Sequence, residues 1–272
     1  MAGTFSPHVS KAPGITNDQV SKGMQLAPQK LQRGATYTYF EPKSSPTSNA
    51  LAGGASVTTG TNVLAFANEG VQLESYLIGT CTKFVPDMVD TDGLNIVLGE
   101  ASTEGTEYGF GVTTASRHAK TIGTSEAFFI EAEFDIDDVS DNLTTVIGFR
   151  KAAAYSDTAL LSDPYTDVAC IGITASAATA DVKIYTRLNS GTAVNTDTTQ
   201  NWADGETHSL SVVVQKGGRV SFFFDGAQVL ATNNFTFDNT DVVVPFIRYI
   251  SNVTSPDPTY LNSLEVGPTR FA

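Results

Sequence analysis

One segment constrains the fold more than any other: Trp202-Ala-Asp-Gly-Glu-Thr-His-Ser-Leu-Ser-Val-Val-Val-Gln-Lys-Gly-Gly-Arg-Val-Ser-Phe-Phe-Phe-Asp-Gly-Ala227. Two apolar runs, residues 208–215 and 219–224, flank Lys216-Gly217-Gly218, and the second run ends on Asp225-Gly226. Tight hairpins need positive φ angles at their turns, which Gly-Gly and Asp-Gly supply at least steric cost. The Val and Phe runs suit a pleated, half-buried surface. The segment therefore predicts a meander in an antiparallel sheet.

The same signature runs through the chain from about residue 61. Strands are expected near 62–67, 71–79, 94–98, 108–112, 127–136, 144–150, 168–174, 181–187, 208–215, 219–224, 228–231, 243–250 and 260–266. Helical periodicity is confined to single turns at Val139–Leu143 and Asp157–Leu161. Short, evenly spaced strands predict an all-β antiparallel sandwich over residues 61–272, with no internal repeat to suggest a solenoid or propeller. A sandwich of that length can bury a core without metals or disulfides. Cys81 and Cys170, the chain's two cysteines, read as buried apolar residues, and their spacing does not decide whether they pair.

Residues 1–60 differ in character. They hold Pro7, Pro13, Pro28, Pro42 and Pro46, five of the chain's eleven prolines, and each fixes φ and biases its predecessor toward extended backbone. This reads as an extended arm and linker. A short helix is expected around Asp18–Ala27, and Ala35-Thr-Tyr-Thr-Tyr-Phe40 has the alternation of a pairing strand. Charge is divided along the same line. Residues 1–50 carry five Lys or Arg against two Asp or Glu, whereas the whole chain has a net charge of −13. An acidic body repels phosphate, which excludes nucleic acid as the expected partner. No run of 18 apolar residues occurs, and the N-terminal residues lack the pattern of a signal peptide, so neither a membrane span nor secretion by that route is expected.

Trp202 and His208 before one strand, followed by a turn and Val220-Ser-Phe-Phe-Phe-Asp-Gly226, are similar to the laminin-G/concanavalin-like jelly-roll family. Gly123-Thr-Ser-Glu-Ala-Phe-Phe-Ile-Glu-Ala-Glu-Phe-Asp135 resembles that family's opening phenylalanine-rich strand. Val244-Pro-Phe-Ile-Arg-Tyr-Ile-Ser-Asn252 and Tyr260-Leu-Asn-Ser-Leu-Glu-Val-Gly267 resemble its last two strands. The resemblance implies a fold that serves lectins, glucanases, adhesion modules and virion proteins alike, so function rests on the sites.

Four groups of residues bear on chemistry. Glu131, Glu133, Asp135 and Asp137 fall on one face of a strand, within the span that paired carboxylates need for glycoside hydrolysis. Laminarinase-like glucanases of this fold carry Glu-x-Asp-x-(x)-Glu there, whereas this chain has Glu-x-Glu-x-Asp-x-Asp, which favours a solvent face opposite a core of Ile130, Ala132, Phe134 and Ile136. His8, His118 and His208 have no metal-type partner at i+2 to i+4 and read as structural. Asp87–Asp92 and Asp163–Asp167 are acidic turns without the spacing of a calcium loop. Tyr155, Tyr165, Tyr185, Tyr249 and Tyr260 are the aromatic candidates for stacking on sugar rings, Trp202 being placed for packing.

These features lead to a non-enzymatic expectation with no catalytic residue, metal or cofactor. The first reading is a virion structural protein, a capsid decoration (cement) protein of a tailed phage, made in the host cytoplasm and carried on the capsid exterior. Its partners would be the major capsid protein and neighbouring copies of itself. The contacts would come from Lys11, Lys22, Lys30, Arg33, Tyr37, Tyr39 and Phe40 of the arm. The alternative is a lectin-like carbohydrate-binding adhesion module for a cell-surface glycan. A more remote alternative is a glucan hydrolase using Glu131 with Glu133 or Asp135.

Overall fold

The computed structural model describes residues 37–40, 61–66, 71–79, 87–89, 92–97, 101–158, 160, 164–174 and 181–269. In chain order the strands are β1 (Thr38–Phe40), β2 (Thr61–Phe66), β3 (Val71–Ile78), β4 (Asp87–Val89), β5 (Gly93–Asn95), β6 (Gly105–Gly109) and β7 (Lys120–Thr121). There follow β8 (Phe128–Ile136), β9 (Asn142–Lys151), β10 (Val168–Ile173), β11 (Asp181–Arg187) and β12 (Val194–Asn201). The last are β13 (Glu206–Val214), β14 (Val220–Phe224), β15 (Ala227–Val229), β16 (Val242–Ser251) and β17 (Thr259–Pro268). A single 3-10 turn at Val139–Asp141, capped by the Asp138 side chain, precedes β9 where a helical turn is expected.

Two antiparallel sheets result, and they form a jelly-roll β-sandwich. Sheet A runs β15-β14-β13-β8-β17-β5-β4, with β1 also paired to β17. Sheet B runs β12-β11-β10-β9-β16-β6-β3-β2, with β7 also paired to β16. The meander expected from the Gly-Gly and Asp-Gly turns is β13-β14-β15, and Gly218, Asp225 and Gly226 have φ of 87°, 49° and 74°. A side chain at Gly218 would also meet the Phe237 carbonyl oxygen at 2.4 Å, so this turn needs glycine twice over. The last two strands do not pair with each other: β16 lies in sheet B and β17 in sheet A.

The core follows the period of two. From sheet A, Phe128, Ile130, Ala132, Phe134 and Ile136 of β8 point inward beside Leu210, Val212 and Val214 of β13. From sheet B they meet Ile147 and Phe149 of β9, Ile171 of β10, Ile184 of β11 and Ile247 of β16. Sheet B has a second apolar layer on its other face, where Val146, Leu160, Tyr165, Val168, Cys170, Tyr185 and Phe246 cluster. The central strands β9 and β10 are thus buried on both sides, which is why they read as near-continuous apolar runs. Cys170 is a free thiol inside this second layer, and burial pushes its pKa up, so it is inert; Cys81 lies outside the described residues.

β12 escapes sequence reading because it is an edge strand. Val194-Asn-Thr-Asp-Thr-Thr-Gln-Asn201 has one buried residue, Thr198, and no apolar alternation to announce it. Its register slips opposite Val182 and Lys183, an irregularity of the kind that blunts a sheet edge against further pairing.

One piece of the segment read as an arm belongs to the sandwich. Thr38, Tyr39 and Phe40 pair with Val266, Glu265 and Leu264 of β17. Phe40 is fully buried in the main core, Thr38 Oγ1 lies 2.8 Å from His118 Nε2, and the Tyr37 hydroxyl donates to Glu265. Phe40 is therefore enclosed by its own chain rather than free to reach a neighbour, and Tyr37 and Tyr39 are half-buried beside it. Lys11, Lys22, Lys30, Arg33 and the helix expected around Asp18–Ala27 lie outside the described residues. Truncating a core aromatic removes its transfer energy and leaves a cavity, so Phe40→Ala should lower stability by about 3–5 kcal/mol. Urea unfolding checks this; a change under about 1 kcal/mol would show that β1 is dispensable.

Candidate functional site

Among the described residues, the outer face of sheet B carries a buried cluster of charged and aromatic side chains. Alternation that sends Ile147, Phe149, Tyr108 and Ile247 inward sends Arg150, Glu107 and Arg248 outward. Glu107 on β6 stands directly opposite Arg248 on β16, and β9 brings Arg150 alongside. β3, on the far side of β6, adds Glu74 and Tyr76.

The connection from β9 to β10 folds back over these groups. Arg150 Nε donates to Glu107 Oε1 at 2.8 Å, and Arg248 Nη1 donates to Glu107 Oε2 at 2.8 Å. The Tyr165 hydroxyl donates to the same Oε2 at 2.6 Å. Arg248 Nη2 donates to the carbonyls of Ser156 and Thr158, and Arg150 Nη1 to that of Ala153 at 2.9 Å, so the arginines pin the connection from beneath. Glu107, Arg150 and Arg248 are each no more than 1% exposed. Buried charges persist only when paired and hydrogen-bonded, and here one carboxylate faces two guanidinium groups. Burial opposes the charge on Arg150, but Glu107 outweighs it and holds the guanidinium pKa above its ordinary value. Among the described residues, the buried Arg248 Nε has no acceptor.

Above this layer sits an aromatic rim. Tyr76 and Tyr155 stack in parallel with ring centroids 5.0 Å apart and planes 8° apart. Arg150 lies 5.3 Å from the Tyr155 ring centroid and 4.2 Å from that of Tyr165, within cation–π range. The Tyr155 hydroxyl donates to Glu74 Oε2 at 3.0 Å. Both rim tyrosines and Glu74 are half-buried and Asp157 is exposed. Burial, then the charge of Asp157, pushes the Tyr76 hydroxyl pKa up, and burial followed by Glu74 does the same for Tyr155. Both phenols stay protonated at neutral pH and remain hydrogen-bond donors. The rim thus offers aromatic carbon, the Tyr76 hydroxyl and carboxylate acceptors on one support, the Tyr155 proton being committed to Glu74.

The residues singled out from sequence are distributed as follows. Glu131, Glu133 and Asp135 line the outer face of sheet A, opposite the buried Ile130, Ala132, Phe134 and Ile136, with the exposed Asp137 just beyond the strand. Ser209 and Ser211 flank the ladder on β13, and Ser263 and Glu265 on β17. Partial burial, then Glu265 and Glu133, raises the Glu131 carboxyl pKa while a hydrogen bond from Ser211 opposes the shift. Of the five tyrosines, Tyr165, Tyr185 and Tyr249 are buried, Tyr155 is at the rim, and Tyr260 stands half-buried on sheet A, its pKa raised by burial and by Asp137. Asp167 is not at a cation site: it is buried, Lys151 Nζ lies 3.6 Å away, and the Asn189 amide donates to it at 2.7 Å. Asp163 and the Asp87 side chain lie outside the described residues. Among the described residues, Asp138, Asp141 and Asp257 bring carboxylate oxygens within 4.8 Å of one another, a trio that sequence spacing conceals because Asp257 arrives from another loop.

Glu107, Arg150 and Arg248 were not legible as a set. Their one sequence signal is a lone charge inside an apolar strand, as in Thr145-Val-Ile-Gly-Phe-Arg150 and Val244-Pro-Phe-Ile-Arg248-Tyr-Ile250.

No family model matches the chain, and no curated protein matches it. Among solved structures it is similar to a Trypanosoma rangeli sialidase in complex with 2,3-difluorosialic acid, at 10% identity and a TM-score of 0.47, covering 81% of this chain and 30% of that one. The chain thus spans less than a third of the sialidase's length. It is similar to a protein of unknown function from Shewanella oneidensis MR-1, at 12% identity and a TM-score of 0.47, covering 94% of this chain and 95% of that one. It is also similar to the potassium-bound carbohydrate recognition domain of Emp46p, at 9% identity and a TM-score of 0.46, covering 71% and 88%. Similarity of this degree carries no argument about activity, which rests on the residues themselves.

Neutralising the shared carboxylate would leave two buried guanidinium groups facing each other. Glu107→Gln should therefore destabilise the fold by about 3–5 kcal/mol. Guanidinium-chloride unfolding measures it, and a loss below about 1 kcal/mol would mean that the network is not a structural support.

Proposed function

We propose that this chain is a non-catalytic carbohydrate-recognition sandwich that binds glycans at the Tyr76–Tyr155 rim. The observation that carries this reading is the half-exposed parallel tyrosine pair, edged by Glu74 and Asp157 and fixed from below by buried arginines. Sugar rings present C–H faces that lie against aromatic carbon and hydroxyls that pair with carboxylates. A rim already held in place loses little entropy when it binds. The chemistry beneath favours binding over cleavage. A general acid must reach the leaving oxygen, whereas Glu107 is sealed and accepts from Arg150, Arg248 and Tyr165.

A glycan array probed with the full chain tests this. Binding to a defined glycan set is expected, with a loss of tenfold or more in Tyr155→Ala and Glu74→Gln variants that circular dichroism shows to be folded at the assay temperature. No glycan bound, or binding unaffected by both substitutions, would refute it; turnover of the bound glycan would refute the non-catalytic part.

A second reading, a virion decoration protein on a capsid exterior, is favoured by one feature. β1 pairs with β17 of the sandwich, and the basic residues Lys11, Lys22, Lys30 and Arg33 precede it in a chain of net charge −13. Its partners in this reading are capsid subunits and further copies of the chain. Removing residues 1–36, which spares Phe40, should abolish binding to particles and leave glycan binding intact. Full particle binding by the truncated chain would eliminate this reading.

A further inference from the structure

A second cluster lies at the Trp202 corner of sheet A, away from the rim. His208 Nδ1 is 2.7 Å from Asp225 Oδ2, and His208 Nε2 is 3.0 Å from Glu206 Oε2. Ionised carboxylates only accept hydrogen bonds, so both ring nitrogens must donate, and only the imidazolium has two N–H groups. We infer that Glu206, His208 and Asp225 form a proton-dependent latch that holds the Trp202 turn, the start of β13 and the β14–β15 turn together.

Each partner carries a piece of backbone with it. Glu206 Oε2 also accepts from the Ala203 amide at 2.9 Å, and the Glu206 carbonyl accepts from Trp202 Nε1 at 3.0 Å. Asp225 Oδ1 accepts from the Ser209 amide at 2.9 Å. The imidazole packs edge-on against Trp202, ring centroids 4.9 Å apart, and lies tilted over Phe224 at 4.6 Å with the planes 35° apart. The groups facing the ring are few. β13 supplies Glu206, and the β14–β15 turn supplies Asp225. β8 places the apolar Phe134 opposite, and Asp204 of the adjoining turn is directed to the Val139 amide at 3.0 Å. No second cation faces the ring among these.

Loss of the proton removes one donor and turns a nitrogen lone pair toward a carboxylate. Burial works against the charged ring, but the hydrogen bonds to Glu206 and Asp225 and their charges outweigh it and raise the His208 pKa. With the folded value above the unfolded one, about 6.5, the stabilisation is complete below that pH. It is lost as pH rises through the folded value.

Trp202 is the chain's one tryptophan and so reports the latch directly, since a contacting imidazolium quenches indole fluorescence. Titration of the full chain should give one transition with a midpoint above about 6.5. Asp225→Asn should lower that midpoint by about one pH unit, and His208→Gln should abolish the transition. The urea midpoint of the wild type should fall across the same pH interval and that of His208→Gln should not. Nitrogen-15 shifts of the wild-type ring at pH 6.5 give a reading that needs no variant, with both nitrogens protonated in the larger population. A fluorescence midpoint at or below 6.5, a neutral ring at that pH, or a transition that survives His208→Gln would overturn the latch.

Discussion

One buried carboxylate organises this molecule. Glu107 accepts from two arginines and a tyrosine, and the two arginines reach up to the carbonyls of the connection between β9 and β10, from which the tyrosine descends. A sandwich sheet ordinarily keeps one face wet. Here the network lets sheet B bury both, because the charges on its outer face are matched to one another and to backbone that would otherwise need water. The second apolar layer of Val146, Val168, Cys170, Tyr185 and Phe246 closes under the same cover.

Rigidity at the rim follows from that arrangement. Tyr155 is held by Glu74 at its hydroxyl, by Tyr76 across its face and by Arg150 beneath, so its ring cannot swing without breaking a buried contact. A rim built this way differs from a free loop, since its shape is set by contacts within the chain. The outer face of sheet A is built differently. Its acidic ladder, Glu131 to Asp137, stands among Ser209, Ser211 and Ser263, with Tyr260 directly opposite Asp135 and Glu265, which accepts from Tyr37, opposite Glu131. Burial first, and then the like charges of Glu265 and Glu133, raise the Glu131 pKa.

The parts of this fold that sequence discloses are those where local chemistry and tertiary burial agree. β8 alternates apolar and acidic residues with a period of two, and β13 to β15 are punctuated by Gly218 and Asp225-Gly226, so both their existence and their facing could be read. β12 could not, because an edge strand with both faces wet has no apolar period. β1 showed its alternation in Thr36-Tyr-Thr-Tyr-Phe40, but its partner β17 lies at the other end of the chain, and the distance hid that Phe40 is core. The site was hidden for the same reason. Arg248 and Glu107 are separated by 141 positions, and Tyr165 and Glu107 by 58, so no local pattern joins them. Only the pairing of β6 with β16 does.

The most direct test of the central claim is to map where saccharides touch the folded chain. Backbone amide shifts should be followed in the full chain during titration with a mixture of cello-, laminari- and manno-oligosaccharides. The account predicts changes confined to β3, β6 and residues 153–158 around Tyr76 and Tyr155. Changes centred on Glu131 to Asp137 of sheet A, or none with any saccharide, would contradict it.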